Sequence, residues 1–282
     1  MGLSDPLVIV ATRIRVEERM LIEALKRRRL PYLHIDDRQL VYRVGAPPPP
    51  WRAVFNRALA ATRRIEVSRY CEAVGVPVLN TAATLDRCDN KIAGTLALHR
   101  AGLPVPATSV ALDPAHGAEA VDQVGYPAVV KPVVGSWGRG VARLNDPDAA
   151  EAVFGLREQL ASPVQKLGYA QQYVSGRDLR VLVVGDRAVA AIERSSEHWV
   201  RNTARGALPA ARALDPDLAD LAERSARAVG GGILGVDLLE SDSGRRVVLE
   251  VNGGVEFHGL AEAHPTLRLA DLMIDHVLEL AA

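Results

Sequence analysis

Residues 129–141 read VVKPVVGSWGRGV. An apolar, β-branched run predicts a strand over 127–134, yet Lys131 stands in its middle. The run then breaks into Gly-Ser-Trp-Gly-Arg-Gly and resumes as a strand over 141–144. A strand lysine can snorkel from a sheet edge. It can also contact a phosphate as a point charge. The loop that follows offers backbone N–H groups able to approach an anion, and Arg139 adds charge. Gly135, Gly138 and Gly140 fit neither a Walker A loop nor a GxGxxG motif opening a helix. Running from strand to strand, the loop is shaped as a flap over phosphates.

Working outward, the first part of the chain alternates strands and helices. Strands are expected at 7–11, 32–36, 53–55 and 76–80, with helices at 17–29 and 58–74. PPPP at 47–50 is a rigid connection. One or two helices over 85–101 carry Lys91, whose isolated reading is a solvated surface lysine. A strand at 108–112, a helix at 114–124, a helix at 146–160 and a strand at 169–174 surround the quoted stretch. A hairpin follows, with strands 178–184 and 187–193, then an irregular segment at 195–209 and a helix at 215–229. A second hairpin has strands 233–240 and 246–252, and a helix over 266–280 closes the chain.

That second hairpin carries VDLLE and LEVN. Alternation places Glu250 and Asn252 on one face, and the turn near 243–244 sets Asp237 opposite Glu250. Like charges facing across a sheet destabilise it. A divalent cation would reverse that, and Mg²⁺ suits hard oxygen ligands completed by phosphates. Solvation of the face, or pairing with arginines elsewhere, would serve as well.

The chain has 282 residues, 48% hydrophobic and 24% charged, with zero net charge, which fits a globular protein of two domains or three small ones. That balance gives no argument for nucleic acid or membrane. Its start has the features of neither a signal peptide nor a myristoylation site, and no run approaches a membrane span. Cys71 and Cys88 lack metal-site spacing, and such sparse cysteines fit a reducing, cytoplasmic setting.

The ordered set of Lys91, Lys131 with GSWGRG, QQYV at 171–174, Asp237 and Glu250-Val251-Asn252 resembles the ATP-grasp superfamily. GSWGRG, DLRVLVVGDRAVAAIERSS and HWVRNTARG look like its RimK-type branch, nearest the LysX-type ligases. The resemblance covers the whole chain. It implies an α/β fold of the α+β ATP-grasp kind, with a small N-terminal α/β domain (1–84) and two α+β domains (85–170 and 171–282) clasping ATP. It implies that Lys91, Lys131, Ser136, Trp137, Gly138, Arg139 and Gly140 meet the phosphates. Gln171, Gln172, Tyr173 and Val174 would meet the adenine, with Gln172 where such hinges often carry glutamate. Asp237, Glu250 and Asn252 would hold two Mg²⁺ ions. Arg180, Arg194, Asn202 and Arg205 would line the acyl-phosphate site.

The implied reaction joins a carboxylate to an amine through an acyl phosphate. In LysX-type enzymes the carboxylate is the side chain of the C-terminal glutamate of a small acidic amino-group carrier protein. The amine belongs to an amino acid such as α-aminoadipate or glutamate. His198, Gly253, Gly254, Glu256 and Phe257 would contact that amino acid, and Gly253-Gly254 would open space there or change the side chain accepted. The branch tends toward homodimers and homotetramers. The runs Arg27–Arg29 and Arg63-Arg64 suit an acidic partner, or are solvated helix faces. His258 could act as a base, or serve structurally. A RimK-type glutamyl ligase, a nucleotide-binding scaffold and a Rossmann-type dehydrogenase are the competing readings. The last lacks a GxGxxG after the first strand.

Overall fold

The computed structural model describes residues 5–135, 138–195 and 208–281. Ser136, Trp137, His198, Asn202 and Arg205 lie outside the described residues.

Three sheets organise the chain. In the first, Leu7–Val10 (β1) lies between Tyr32–Ile35 (β2) and Ala53–Asn56 (β3), all parallel, and Val78–Leu79 (β4) extends it. Helices Val16–Arg27 (α1) and Ala61–Ala73 (α2) are the crossovers that parallel pairing demands. Alternation along β1 sends Val8 and Val10 to one core with Val67 and Cys71, and Leu7 and Ile9 to another. Ala82–Asp89 (α3) and Lys91–Arg100 (α4) follow. They are two helices because Asn90 between them is extended, its side chain accepting hydrogen bonds from Ile92 and Ala93 N–H.

The second sheet has the order β5-β8-β6-β7, formed by Thr108–Ala111 (β5), Ala128–Val130 (β6), Ala142–Leu144 (β7) and Gly168–Gln172 (β8). It packs on Gly117–Val124 (α5) and Pro147–Glu158 (α6) around Phe154. A short helix, Pro163–Lys166 (α7), was not anticipated. Strand β6 ends before Lys131, contrary to expectation. Pro132 has no N–H for the ladder, so pairing stops there.

The third sheet is antiparallel, in the order β11-β10-β9-β12-β13. Its strands are Arg177–Val184 (β9), Arg187–Ser195 (β10), Leu208–Arg212 (β11), Ile233–Glu240 (β12) and Arg246–Asn252 (β13). Strand β11, LPAAR, has no β-branched residue and went unseen in the sequence. Leu179, Val181, Val183, Leu234, Val236 and Leu238 face Pro216–Val229 (α8) and Leu98 of α4. The opposite face brings Leu182, Ile192 and Ile233 to a core shared with Leu7, Ile9, Leu21 and Phe55. The N-terminal sheet and the third sheet are thus joined by one apolar interior. Leu269–Glu279 (α10) fills it with Met273, Ile274 and Val277, and His258–Ala263 (α9), another unanticipated helix, adds Leu260.

The basic runs are committed within the chain. Arg27 pairs with Asp271, Arg28 with Asp275, Arg63 with Asp37 and Arg64 with Asp89. These four arginines thus already face a carboxylate within the chain.

Candidate active site

The register of the third sheet builds one wall of the site. Arg180 of β9 stands opposite Asp237 of β12, and Asp237 opposite Glu250 of β13, so the three form a row. Arg194 of β10 faces Asp178 of β9 in the neighbouring row. Between Asp237 and Leu238 the pairing with β13 shifts, leaving Leu249 as the extra residue. The bulge lets Leu249 and Glu250, adjacent in sequence, both line the cavity.

The facing of Asp237 and Glu250 is as the hairpin arithmetic predicts. The repulsion is relieved from within. Arg180 grips Asp237 with Nε and Nη2, each 2.7 Å from a carboxylate oxygen. Arg194 Nη2 lies 3.2 Å from the same carboxylate, and Asn252 Nδ2 donates to Asp237 at 3.1 Å and to Glu250 at 3.4 Å. Burial raises the Asp237 carboxyl, but the charges of Arg180 and Arg194 outweigh it and hold it below its ordinary value. At Asp178 burial wins: the carboxyl is pushed up to about 6 against the pull of Arg194, with Asp237 adding to the rise. Arg180 and Arg194 therefore face the cavity.

The opposite wall carries the lysines. Lys91 opens α4, where the helix dipole is unfavourable to a cation. Its Nζ donates to the Gly135 carbonyl at 3.0 Å and lies 3.6 Å from Glu250, while its backbone N–H bonds Val133. Lys131 Nζ donates to Gln171 Oε1 at 2.7 Å, and Gln171 is anchored by Tyr169, whose hydroxyl meets Thr95. Burial pushes the Lys131 ammonium down, and Glu250 opposes that shift.

These residues enclose a cavity of about 360 Å³. Val129, Val141, Tyr173, Val174, Leu239 and Leu249 give it an apolar part. Arg143 lies over the Tyr173 ring at 3.9 Å. The hinge holds Gln171 to Lys131 by its side chain, and the N–H groups of Gln172 and Tyr173 already bond Ala107 and Pro127. Gly138 and Arg139 line the cavity, whereas Gly140 stands off it at φ 68°, where a Cβ would meet Pro132 at 2.9 Å.

Several expected amino-acid contacts come out differently. Phe257 is fully buried and packs in the shared core, off the cavity wall. Gly253 and Gly254 line the cavity, but neither leaves room for a side chain. A Cβ on Gly253 would stand 2.8 Å from Leu85, and one on Gly254 2.5 Å from Arg64. His258 bonds Glu17 at 2.6 Å and so ties α1 to the 253–258 segment. Glu256 lines the cavity as expected, held by Arg15 at 3.0 Å.

Arg15, Arg57, Arg64 and Asp178 also line the cavity, and none was foreseen. Arg57 follows the carboxyl end of parallel strand β3, and Arg15 follows that of β1. Ligands gather at such ends in α/β sheets, which was the available signal.

Mg²⁺ is tested by the donor set. Among the described residues, no three His, Cys, Asp or Glu side chains are arranged to hold a metal. The candidate set is instead two carboxylates and an amide. Glu250, a third exposed at its side chain, and Asn252, once its amide turns Oδ1 inward, suit a hard cation. Asp237 joins them only by exchanging an arginine contact.

A cavity lined by two lysines, several arginines and a carboxylate strand has the charge to hold a phosphorylated ligand. Comparison with known proteins agrees. Residues 88–277 match the RimK-like ATP-grasp domain and residues 7–87 the LysX preATP-grasp domain. A protein named alpha-aminoadipate–LysW ligase LysX, from Saccharolobus solfataricus, is 37% identical over 206 residues, covering 72% of this chain and 75% of its own. One named glutamate–LysW ligase ArgX, from Sulfolobus acidocaldarius, is 27% identical over 273 residues, covering 95% and 96%. The crystal structure of a RimK domain ATP-grasp protein from Sphaerobacter thermophilus superposes with a TM-score of 0.81 at 29% identity, covering 97% of this chain and 99% of that one. The chain belongs to the RimK-like ATP-grasp family and is an ATP-dependent ligase. Among the described residues no helix is long and apolar enough to cross a membrane.

Proposed function

We propose that the enzyme activates the side-chain carboxylate of a C-terminal glutamate on a small acidic amino-group carrier protein. It then joins that carboxylate to the α-amino group of α-aminoadipate, glutamate or a related amino acid. The carrying observation is the charge pattern of the cavity. Arg180, Arg194, Lys91 and Lys131 gather there around Asp178, Asp237 and Glu250. The relatives' printed activities support the choice of carrier and amino acid.

In this reading the segments 1–84, 85–170 and 171–282 are the three domains. ATP lies between the second and third, its adenine among the apolar residues beside Tyr173 and Val174. Lys91 and Lys131 neutralise its phosphates, with the 136–140 loop above them. The carrier's carboxylate oxygen attacks the γ-phosphorus as the bond to the ADP oxygen breaks. Arg180 and Arg194, together with Asn202 and Arg205, hold the resulting acyl phosphate. The amine then attacks the acyl carbon and expels phosphate, to which its surplus proton passes. Positioning and charge neutralisation carry such transfers. Glu250, Asn252 and Asp237 would hold two Mg²⁺ ions, which supply further neutralisation of the phosphate charge.

The test is the intact mass of a carrier ending in glutamate, incubated with enzyme, MgATP and an amino-acid panel. An ATP-dependent gain of one amino acid minus water is expected. No gain, with ADP still released on adding glutamate alone, would move the activity to a glutamyl ligase with another acceptor.

A further inference from the structure

The two lysines of the cavity are held differently. Lys91 Nζ lies 3.6 Å from the Glu250 carboxylate. Lys131 Nζ donates at 2.7 Å to an amide, Gln171 Oε1. An amide fixes an ammonium without cancelling its charge, so that charge stays available to a phosphate.

The groups behind the amide decide how it stands. An ammonium has only donors, so Gln171 turns Oε1 toward it. Its Nε2 then donates to the Tyr169 hydroxyl at 3.1 Å and to Thr108 Oγ1 at 3.3 Å. Thr108 gives its own proton to the Pro106 carbonyl at 2.8 Å. The Tyr169 hydroxyl, which accepts from Gln171, passes its proton to Thr95 Oγ1 at 2.8 Å. Every bond from Lys131 to Thr95 thus runs in one direction. Gln171 is 2% exposed and Tyr169 1%, so neither can turn without leaving a buried polar group unmet.

Thr95 stands one turn beyond Lys91 on α4. The Lys91 N–H bonds the Val133 carbonyl, and the Lys131 N–H bonds the Tyr169 carbonyl. The main chain therefore fixes the backbones of both lysines. It does not fix the Lys131 ammonium, which sits at the end of a flexible four-carbon stem. The side-chain row from Gln171 to Thr95 does that, and its far end lies on the helix that carries Lys91.

We propose that Tyr169 and Thr95 are positioning residues, which act through Gln171 to hold the Lys131 ammonium at the nucleotide's phosphates in step with Lys91. This inference rests on the reading that Lys131 meets those phosphates. It adds two residues that do not line the cavity themselves.

The experiment is calorimetric binding of MgADP to the enzyme, with melting temperature measured alongside. Tyr169→Phe keeps the ring and loses the hydroxyl. It is expected to weaken ADP binding by about three- to tenfold, the range that one hydrogen bond is worth. Thr95→Val should weaken it in the same direction, and Thr95→Ser, which restores the acceptor, should bind ADP as wild type does. In a Lys131→Met background, Tyr169→Phe should change ADP affinity by less than about twofold, because the group it positions is gone. A merely structural hydroxyl would lower the melting temperature and weaken ADP binding equally in both backgrounds. That result, or wild-type affinity in Tyr169→Phe, overturns the proposal. The reading beneath it fails separately: wild-type ADP affinity in Lys131→Met alone would take Lys131 off the phosphates.

Discussion

The two charged clusters on the cavity wall are built by opposite means. Arg180, Arg194, Asp178, Asp237 and Glu250 sit on adjacent strands of one sheet, where pairing fixes their separations. Arg15, Glu18, Arg57, Arg64 and Glu256 come from helices and loops. The bonds that join them to the C-terminal part span 198 residues, from Arg57 to Val255, and 241, from Arg15 to Glu256. The first cluster is a product of register within one sheet. The second exists only once the N-terminal sheet has docked on the shared core.

The sharpest test of that contrast is catalytic. Glu250 has no guanidinium partner among its described contacts and is the carboxylate best placed for a cation beside the phosphates. Glu250→Gln is expected to lower ADP formation by at least about 100-fold, the scale of losing one electrostatic stabiliser of the transition state. The far-ultraviolet circular dichroism should stay that of wild type. Near-normal turnover would remove Glu250 from the machinery.

Stability separates the clusters next. Asp237→Ala leaves Arg180 and Arg194 buried with one carboxylate, Asp178, between them. The expected loss is about 3–5 kcal/mol in urea unfolding, as for a broken buried pair. Glu18→Ala strands Arg57 in the same way, but Arg15 keeps Glu256. Its loss should be the smaller of the two, and the reverse order would mean that the docked cluster carries more of the fold than the strand-borne one.

The same difference decided what the sequence could tell. Asp237 and Glu250 were placed opposite each other by counting from the turn, because strands alternate with period two. Their neutralisation by Arg180 and Arg194 needed the pairing of β9 with β12, which no turn specifies. Lys131 lies on the cavity wall just beyond β6, because Pro132 ends the ladder there. The inward row of the third sheet was thus half readable. Arg57 and Arg64 are not readable as cavity residues by spacing, and the side-chain space at Gly253 and Gly254 is taken by Leu85 and Arg64, which come from distant helices.

A pH sweep of wild type against Glu18→Gln isolates the docked cluster. Burial raises the Glu18 carboxyl, but the Arg15 hydrogen bonds and the charges of Arg57 and Arg15 outweigh it, so it lies below its ordinary 4.5. A lowered carboxyl contributes stability that is present above its unfolded value and is lost as pH falls through its folded one. Wild-type melting temperature should therefore fall as the pH drops below about 4.5 more steeply than that of Glu18→Gln. Parallel curves would show that Glu18 ionises alike in both states.

The smallest effect concerns chemistry at the seam between the clusters. Cys88 lines the cavity beside Gly253, and burial pushes its thiol up, with Asp89 adding to the rise. Cys71, in the N-terminal core, is pushed up to about 12 by burial. A protonated thiol is a poor nucleophile. Iodoacetamide at pH 8 is expected to leave the native protein unmodified by intact mass, while the urea-unfolded chain takes two labels. Gly253→Ala presses a Cβ toward Leu85 and the Cys88 side chain. It should quicken labelling of Cys88 and leave Cys71 untouched, because Cys88 lines the cavity while Cys71 lies in the N-terminal core. Labelling of both in step would report global opening instead, and the 253–256 segment would then be no separate element of the site.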